Sequence, residues 1–250
     1  LPIMTHCEDR SLSGKGVMNE GYTASCLGLS GMPREAEELQ VARNILLAEI
    51  TGARLHIAHV STGGSVRMVR DAKKRGLQVT CETCPHYFAL TEEAVEDYNT
   101  FAKVNPPLRT QEDVEAILEG IADGTIDAIA SGHSPTSRTD KDKEFGNAAY
   151  GISALETAFP ISFTKLVETG IISLARLVEL MSKKPAEILK LEQKGEIAVG
   201  KDADLIVIET KGTQIIEPEL FASKAKFSPF AGQEVKGRVV YTIVGGKIVS

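Results

Sequence analysis

The period of the hydrophobic pattern alternates along this chain, and that alternation narrows the possible folds more than any other feature. Leu1–Met4 is a short apolar run that reads as a buried strand and ends in the polar cluster Thr5-His6-Cys7-Glu8-Asp9. Ala36, Leu39, Val41, Ala42, Ile45, Leu46 and Ala48 then recur at helical spacing, which predicts a helix over 34–51 stopped by Gly52. Leu55–Val60 alternates as a strand, and Gly63–Arg75 returns to helical spacing. A strand at Leu77–Glu82, a helix at Glu112–Ala122 and a strand at Ile126–Ala130 complete the series. Strands and helices joined in this order by short connections make a parallel α/β sheet. Each strand runs into polar residues: His6, then His59 to Thr62, then Glu82 to His86, then Ser131-Gly132-His133. In parallel α/β folds, chemistry gathers at the carboxyl ends of the strands. A doubly wound sheet would carry a glycine-rich phosphate turn after an early strand, and no such motif is present. Part of a barrel is therefore expected.

Beyond residue 150 the spacing predicts helices over 153–168, 173–182 and Pro185–Leu191, followed by β-rich segments at Asp204–Glu209, Gly237–Val244 and Lys247–Val249. The expected organisation is a partial (β/α) barrel over 1–192, with strands five to eight and their helices, and an accessory β-subdomain over 193–250. Because the chain opens on Leu1 in what reads as mid-core, it is expected to be a piece of a longer polypeptide. Lys+Arg 28 against Asp+Glu 34 gives a net charge of −6, and no basic run interleaves with aromatics, which argues against nucleic acid as a partner. No apolar stretch of membrane-spanning length and no signal-peptide pattern is present, which disfavours a membrane or secretory reading. Four cysteines in 250 residues are too sparse for a disulfide scaffold, so a cytoplasmic, reducing setting fits best.

Among the five histidines, His6 and His59 sit at the polar ends of separate strands, which is how distant residues assemble a metal site in a barrel. His56 lies three residues before His59, points to the opposite face of a strand and reads as structural. A catalytic zinc needs about three protein ligands and an open position. His6 and His59 supply two, with no clear third. Cys81 and Cys84 fit C-x-x-C but lie in a strand without a partner pair, so they read as buried structural thiols. Lys141-Asp142-Lys143-Glu144 reads as a solvated loop. Asn105-Pro106-Pro107-Leu108-Arg109 is stiffened by its prolines, and either presents Asn105 rigidly or is a plain structural turn.

Several motifs together resemble the bacterial dihydroorotase family: His6-Cys7-Glu8-Asp9, Gly16 to Gly21, Leu55 to Thr62, Glu82 to Tyr87, Lys103 to Arg109 and Gly151 to Thr157. Their order holds from end to end of the chain, which corresponds to the C-terminal part of such an enzyme. The resemblance implies a TIM-type (β/α)8 barrel with an accessory β-subdomain and two zinc ions per site. It further implies the reversible cyclisation of N-carbamoyl-L-aspartate to dihydroorotate in pyrimidine biosynthesis. Residue by residue, it implies that His6 and His59 are metal ligands, that Asn105 binds substrate and that Tyr150 and Gly151 contact the pyrimidine ring.

The departures carry equal weight. Family members read A-T-D-H-A-P-H where this chain reads Ala130 to Thr136. Gly132 stands at the position of the metal-binding, proton-shuttling aspartate, and Thr136 at that of a substrate-holding histidine. The ligands of the earlier strands would precede Leu1. Glycine can neither ligate a metal nor accept a proton, and a positioned general base contributes on the order of 10²–10⁴ in rate. The chain alone is therefore expected to be inactive, and Gly132→Asp is expected to raise activity in a full-length context. Open edges are expected at Leu1–Met4 and Ile126–Ala130, to be covered by the missing N-terminal half or a second copy. Two alternatives stand beside this reading. One is a non-catalytic partner of aspartate carbamoyltransferase; the other is an allantoinase- or hydantoinase-type amidohydrolase.

Overall fold

A computed structural model describes residues 1–250. Four strands, β1 (Ile3–Thr5), β4 (Leu55–Ile57), β5 (Val79–Thr83) and β6 (Ala128–Ile129), form one all-parallel sheet in the order β1-β4-β5-β6. The register pairs Ile3 with Leu55, Leu55 with Val79 and Glu82 with Ala128. Because the strands are parallel and adjacent, their carboxyl ends share one rim. The connections carry the helices α3 (Glu35–Thr51), α4 (Gly63–Lys74) and α6 (Gln111–Ala122). Thr62 caps α4 by accepting from Ser65 N, and Thr110 caps α6 by accepting from Asp113 N. Gly52, left-handed at φ 68°, ends α3. Val41 and Ile45 of α3, Val69 of α4 and Ile117 and Ile121 of α6 pack with Ile57 and Cys81 into one core.

Shorter elements build the rim. These are α1 (Arg10–Ser13), α2 (Tyr22–Leu27), the two-residue parallel pair β2 (Met18–Asn19) and β3 (Gly31–Met32), α5 (Pro85–Ala89) and α7 (Arg138–Lys141). C-terminal to them run α8 (Leu155–Ser162), α9 (Leu174–Val178) and α10 (Lys184–Leu189). A separate antiparallel sheet of β7 (Leu205–Ile215), β8 (Glu234–Val244) and β9 (Lys247–Ile248) forms the tail. It docks on the barrel side where Lys236 N donates to Thr164 Oγ1 at 2.8 Å. The architecture is that of a partial (β/α) barrel with a small β-unit beside it.

Four expectations need correction. The first strand is not buried: Ile3 is 58% and Met4 52% exposed, because β1 has a neighbour on one side only. The edge at β6 is unpaired as expected, but its apolar surface is not exposed: Ala128 and Ile129 are buried, and the π-helical turn Glu179–Lys183, with its buried Leu180, lies against them. The expected helices 173–182 and 185–191 are one continuous helix from Leu174 to Leu189. The widened π turn just ahead of Pro185 takes up the hydrogen bond that proline cannot donate. Finally, Lys141 is not solvated but wholly buried.

Full burial of an aliphatic side chain contributes about 1.5–3 kcal/mol, and emptying its place adds a cavity cost. Ile117→Ala is therefore expected to destabilise the chain by about 2–5 kcal/mol, whereas Ile50→Ala on the outer face of α3 changes stability by less than about 0.5 kcal/mol. Urea unfolding of the two variants checks the contrast, and equal losses would contradict this placement of the core.

Candidate functional site

His6 follows β1 directly, and its Nδ1 lies 3.1 Å from His59 Nε2. On its other side His6 Nε2 meets Glu8 Oε2 at 2.9 Å. Glu8 also accepts from Ser13 Oγ at 2.6 Å and from Asn105 Nδ2 at 3.1 Å. Burial opposes ionisation of Glu8, but the bonds from His6, Ser13 and Asn105 prevail and hold its carboxyl at about 2. Glu8 escaped the sequence reading as a site residue, although its position two residues after His6, within the same polar cluster, was the signal for it.

The His59 backbone is left-handed at φ 41°. Such a conformation costs a non-glycine residue on the order of 1–3 kcal/mol and persists only where its surroundings enforce it. Here they do. Ala58 N donates to Thr5 O and Val60 N to Glu82 O. Buried Glu37, in the first turn of α3, then accepts from Ser61 N at 3.1 Å, Thr62 N at 3.3 Å, Ser65 Oγ at 2.7 Å and Ser61 Oγ. Burial, with the neighbouring His6, pushes the His59 imidazole below its ordinary pKa. His56 is engaged elsewhere, on Thr80 Oγ1 at 2.8 Å and Glu82 at 3.3 Å.

A cavity of about 320 Å³ opens at the rim and is lined by His59, His86, Asn105, Gly132, Tyr150 and Gly151, among others. Of the residues singled out in the sequence, it thus gathers His59, Asn105, Gly132, Tyr150 and Gly151. His6 stays outside the lining and joins it through His59 and, by way of Glu8, through Asn105, and Thr136 does not line the cavity. Three buried polar atoms of lining residues lack a hydrogen-bond partner: His59 Nδ1, His86 Nδ1 and Asn105 Oδ1. His133 accepts from Ala154 N at 3.0 Å and Leu155 N at 3.3 Å through Nδ1, so its neutral ring carries the proton on Nε2. Burial pushes the Cys81 thiol up to about 12 and raises Cys84 as well, so neither is a reactive thiolate.

The donors fit part of a metal site. Two imidazole nitrogens 3.1 Å apart suit a common ion, since zinc–nitrogen bonds of about 2.0–2.1 Å at tetrahedral angles separate ligands by roughly 3.3 Å. No cluster of three or more His, Cys, Asp or Glu side chains forms around any point that could hold a metal. This chain therefore supplies two candidate ligands, not a complete coordination sphere.

At Gly132 the backbone is left-handed, φ 65°, and a Cβ there would come within 2.6 Å of His86 Cε1 and 2.9 Å of Cys84 Sγ. The space beside the glycine is filled by two buried side chains. The steric contacts add a structural cost to the expected gain in activity, because Gly132→Asp first requires that His86 and the 131–133 backbone move. The expected result is a loss of about 1–3 kcal/mol in stability, read by thermal or urea unfolding. An unchanged or raised stability would overturn the steric argument.

Burial, helped by the nearby His59, also lowers His86 to about 3 from an ordinary value of 6.5. Between these values the unfolded chain binds a proton that the folded chain does not, so His86 withdraws stability as pH falls from 6.5 toward 3. The wild type is expected to lose about 1.4 kcal/mol per pH unit more than His86→Gln between pH 6 and 4. Urea unfolding across that range tests it, and parallel pH profiles for the two proteins would refute it.

Comparisons with known proteins establish the family and the fold. The amidohydrolase family matches residues 1–249, and the chain belongs to that family. Within it, the chain is 53% identical over 247 residues to the dihydroorotase of Geotalea daltonii and 49% identical over 249 residues to that of Acetivibrio thermocellus. These matches cover 99% and 100% of this chain but 58% of each relative, so the chain spans little more than half the length of the curated relatives it matches. Among solved structures it superposes on the L-hydantoinase (dihydropyrimidinase) of Arthrobacter aurescens with a TM-score of 0.89 at 31% identity, covering 99% of this chain and 56% of that one. The dihydropyrimidinase of Brevibacillus agri gives 0.87 at 27%, covering 98% and 56%.

Proposed function

We propose that this chain forms the C-terminal part of a dihydroorotase-type cyclic amidohydrolase, acting on N-carbamoyl-L-aspartate and dihydroorotate. The observation that carries this reading is the rim cavity, in which His59, Asn105, Tyr150 and Gly151 meet although the sequence scatters them over 92 positions. Identity of about half to dihydroorotases, against 31% and 27% to the two hydantoinase structures, favours the dihydroorotase substrate over the hydantoinase alternative. In this reading Asn105 and the Tyr150–Gly151 backbone hold a small polar ring, and His6 and His59 are two of the ligands to zinc. When bound, zinc would supply Lewis-acid activation of water and of the amide carbonyl. Gly132 has no side chain with which to move a proton. The chain alone is accordingly inactive, and it acts once an N-terminal half completes the barrel. Four free cysteines, three of them buried, suit a reducing cytoplasm.

A second reading has its own observation. The glycine at 132, its side-chain space closed by His86 and Cys84, suits a non-catalytic member of the family that supports aspartate carbamoyltransferase.

Complementation separates the two. The chain is co-expressed with the N-terminal portion of the Geotalea daltonii dihydroorotase that it does not match, and the purified complex is assayed for zinc and for dihydroorotate hydrolysis. The proposal expects zinc retention and hydrolysis reduced by about 10²–10⁴ relative to the intact relative, as befits a missing general base. A folded complex that retains no zinc would sink the enzymatic reading and leave the partner reading in its place.

A further inference from the structure

Two lysines lie buried behind the segments that bring Asn105, Tyr150 and Gly151 to the cavity, and the site as described makes no use of either. Lys103 is 2% exposed and Lys141 is wholly buried. Backbone carbonyls satisfy both. Lys103 Nζ donates to Phe145 O at 2.6 Å, Ala148 O at 2.8 Å and Gly146 O at 3.1 Å. Lys141 Nζ donates to Thr100 O at 2.9 Å and Lys103 O at 3.1 Å. The Lys103 ammonium also sits 4.6 Å from the centroid of the Tyr150 ring and 5.3 Å from that of Phe145.

The consequence is geometric. Residues 138–151 form a strap that leaves the rim at α7 and returns to it at Tyr150–Gly151. Phe145 and Ala148 anchor this strap in the core, but its path between them is irregular and its backbone carbonyls need donors. Three of its carbonyls converge on one ammonium, and its end is tied to the same residue, because Gly151 N donates to Lys103 O at 3.0 Å. At Gly151 a Cβ would come within 2.2 Å of Ser134 O, so the strap end is pressed against the rim at this point. Tyr150 Oη donates to Gly16 O at 2.8 Å on the far side. Lys103 lies two residues before Asn105, so one short segment carries both the amide that faces the cavity and the cation that organises the opposite wall.

We infer that Lys103 is a positioning residue: its ammonium, caged by the strap carbonyls, fixes Tyr150 and Gly151 at a set distance from Asn105 and so determines the shape of the substrate pocket. The inference rests on the pocket reading above and deepens it. Lys141 has the supporting role of holding the Lys103 and Thr100 carbonyls in place from below. A charge-assisted cage is stronger than its neutral equivalent, and leaving several buried carbonyls without a donor is costly, so loss of the ammonium releases the strap rather than merely weakening it.

The experiment is hydrogen–deuterium exchange on the 250-residue chain and on Lys103→Met, which keeps the apolar stem and removes every donor. The expected result is at least tenfold faster exchange at amides 144–151, with the amides of α4 and β5 unchanged. Exchange at wild-type rates in the strap, or a uniform rise that includes α4 and β5, overturns the inference, since the lysine would then be either idle or a general core residue. Lys103→Arg covers the case in which the methionine variant does not fold. It keeps the charge but cannot place three donors into the same cage, so a smaller rise confined to the strap is expected, and wild-type exchange again overturns the inference. A parallel arm measures binding of dihydroorotate to the complemented barrel with and without Lys103→Met. Absence of binding by the unaltered complex refutes the substrate reading and leaves the exchange result intact. Equal binding by both complexes, with the strap loosened, overturns the positioning role.

Discussion

The rim depends on one buried carboxylate. Glu37 reaches from the first turn of α3 into the turn after β4 and accepts from the backbone of Ser61 and Thr62 and from the hydroxyls of Ser61 and Ser65. An unpaired charge at this depth would be prohibitive, and a charge met by this many donors is stable where it lies. What it holds is the unfavourable backbone of His59. The same Ser61 hydroxyl accepts from Arg109 Nε at 3.2 Å, and the Arg109 guanidinium continues to Asn19 Oδ1 at 2.8 Å and Met32 O at 2.9 Å. Asn19 in turn donates to Glu92, which also accepts from Thr23 at 2.9 Å. A single run of polar contacts therefore links α3, the His59 turn, the end of the Lys103–Arg109 segment and the small β2–β3 pair. The His59 turn and the segment that carries Asn105 stand on this layer.

That layer explains how a pocket is kept although position 132 carries no acid. The polar network passes through residues 19 to 109 and never uses the loop after β6, so a change at Gly132 leaves its supports in place. Locally, the left-handed glycine lets His86 and Cys84 close over the position. The site is thus intact as a shaped cavity while position 132 itself presents no side chain to it. These two properties have separate structural origins.

Much of the scaffold was legible in the sequence because its information is local. The extents of α3, α4 and α6 follow from apolar spacing, with Gly52 ending α3, and the polar residues closing each strand marked the rim. The features that escaped reading depend on partners far apart in sequence. Glu37 and Ser61 are 24 positions apart, Asn19 and Arg109 are 90 apart, and Lys103 finds its carbonyls 42 to 45 residues on. Lys141 reads as solvent-facing within its charged run, and only the aromatic and carbonyl surfaces brought over it by the fold bury it. The segment 14–32 has too little periodicity to disclose two-residue strands, since Met18–Asn19 and Gly31–Met32 are defined by each other rather than by any pattern of their own. The exposure of β1 has a similar cause. Apolarity in Ile3 and Met4 tells that something covers them in a barrel, not that this chain does.

The two ends of the parallel sheet are consequently unequal. Beyond β6, Leu180 and the Glu179–Lys183 turn have already removed Ala128 and Ile129 from water, so little hydrophobic free energy is left to be gained there. At β1 the unpaired edge, Ile3 and Met4 remain in solvent, and on the neighbouring α3 so do Leu46 and Ile50. Burial of apolar surface scales with area at about 25 cal/mol per Å². The hydrophobic gain still available along this sheet therefore lies at β1 rather than at β6. An exposed strand edge backed by apolar side chains is also the feature that proteins elsewhere blunt or cover. That exposed edge lies on the opposite side of β4 from the strand whose end carries Gly132, so the uncovered apolar surface and the loop after β6 sit at opposite ends of the sheet.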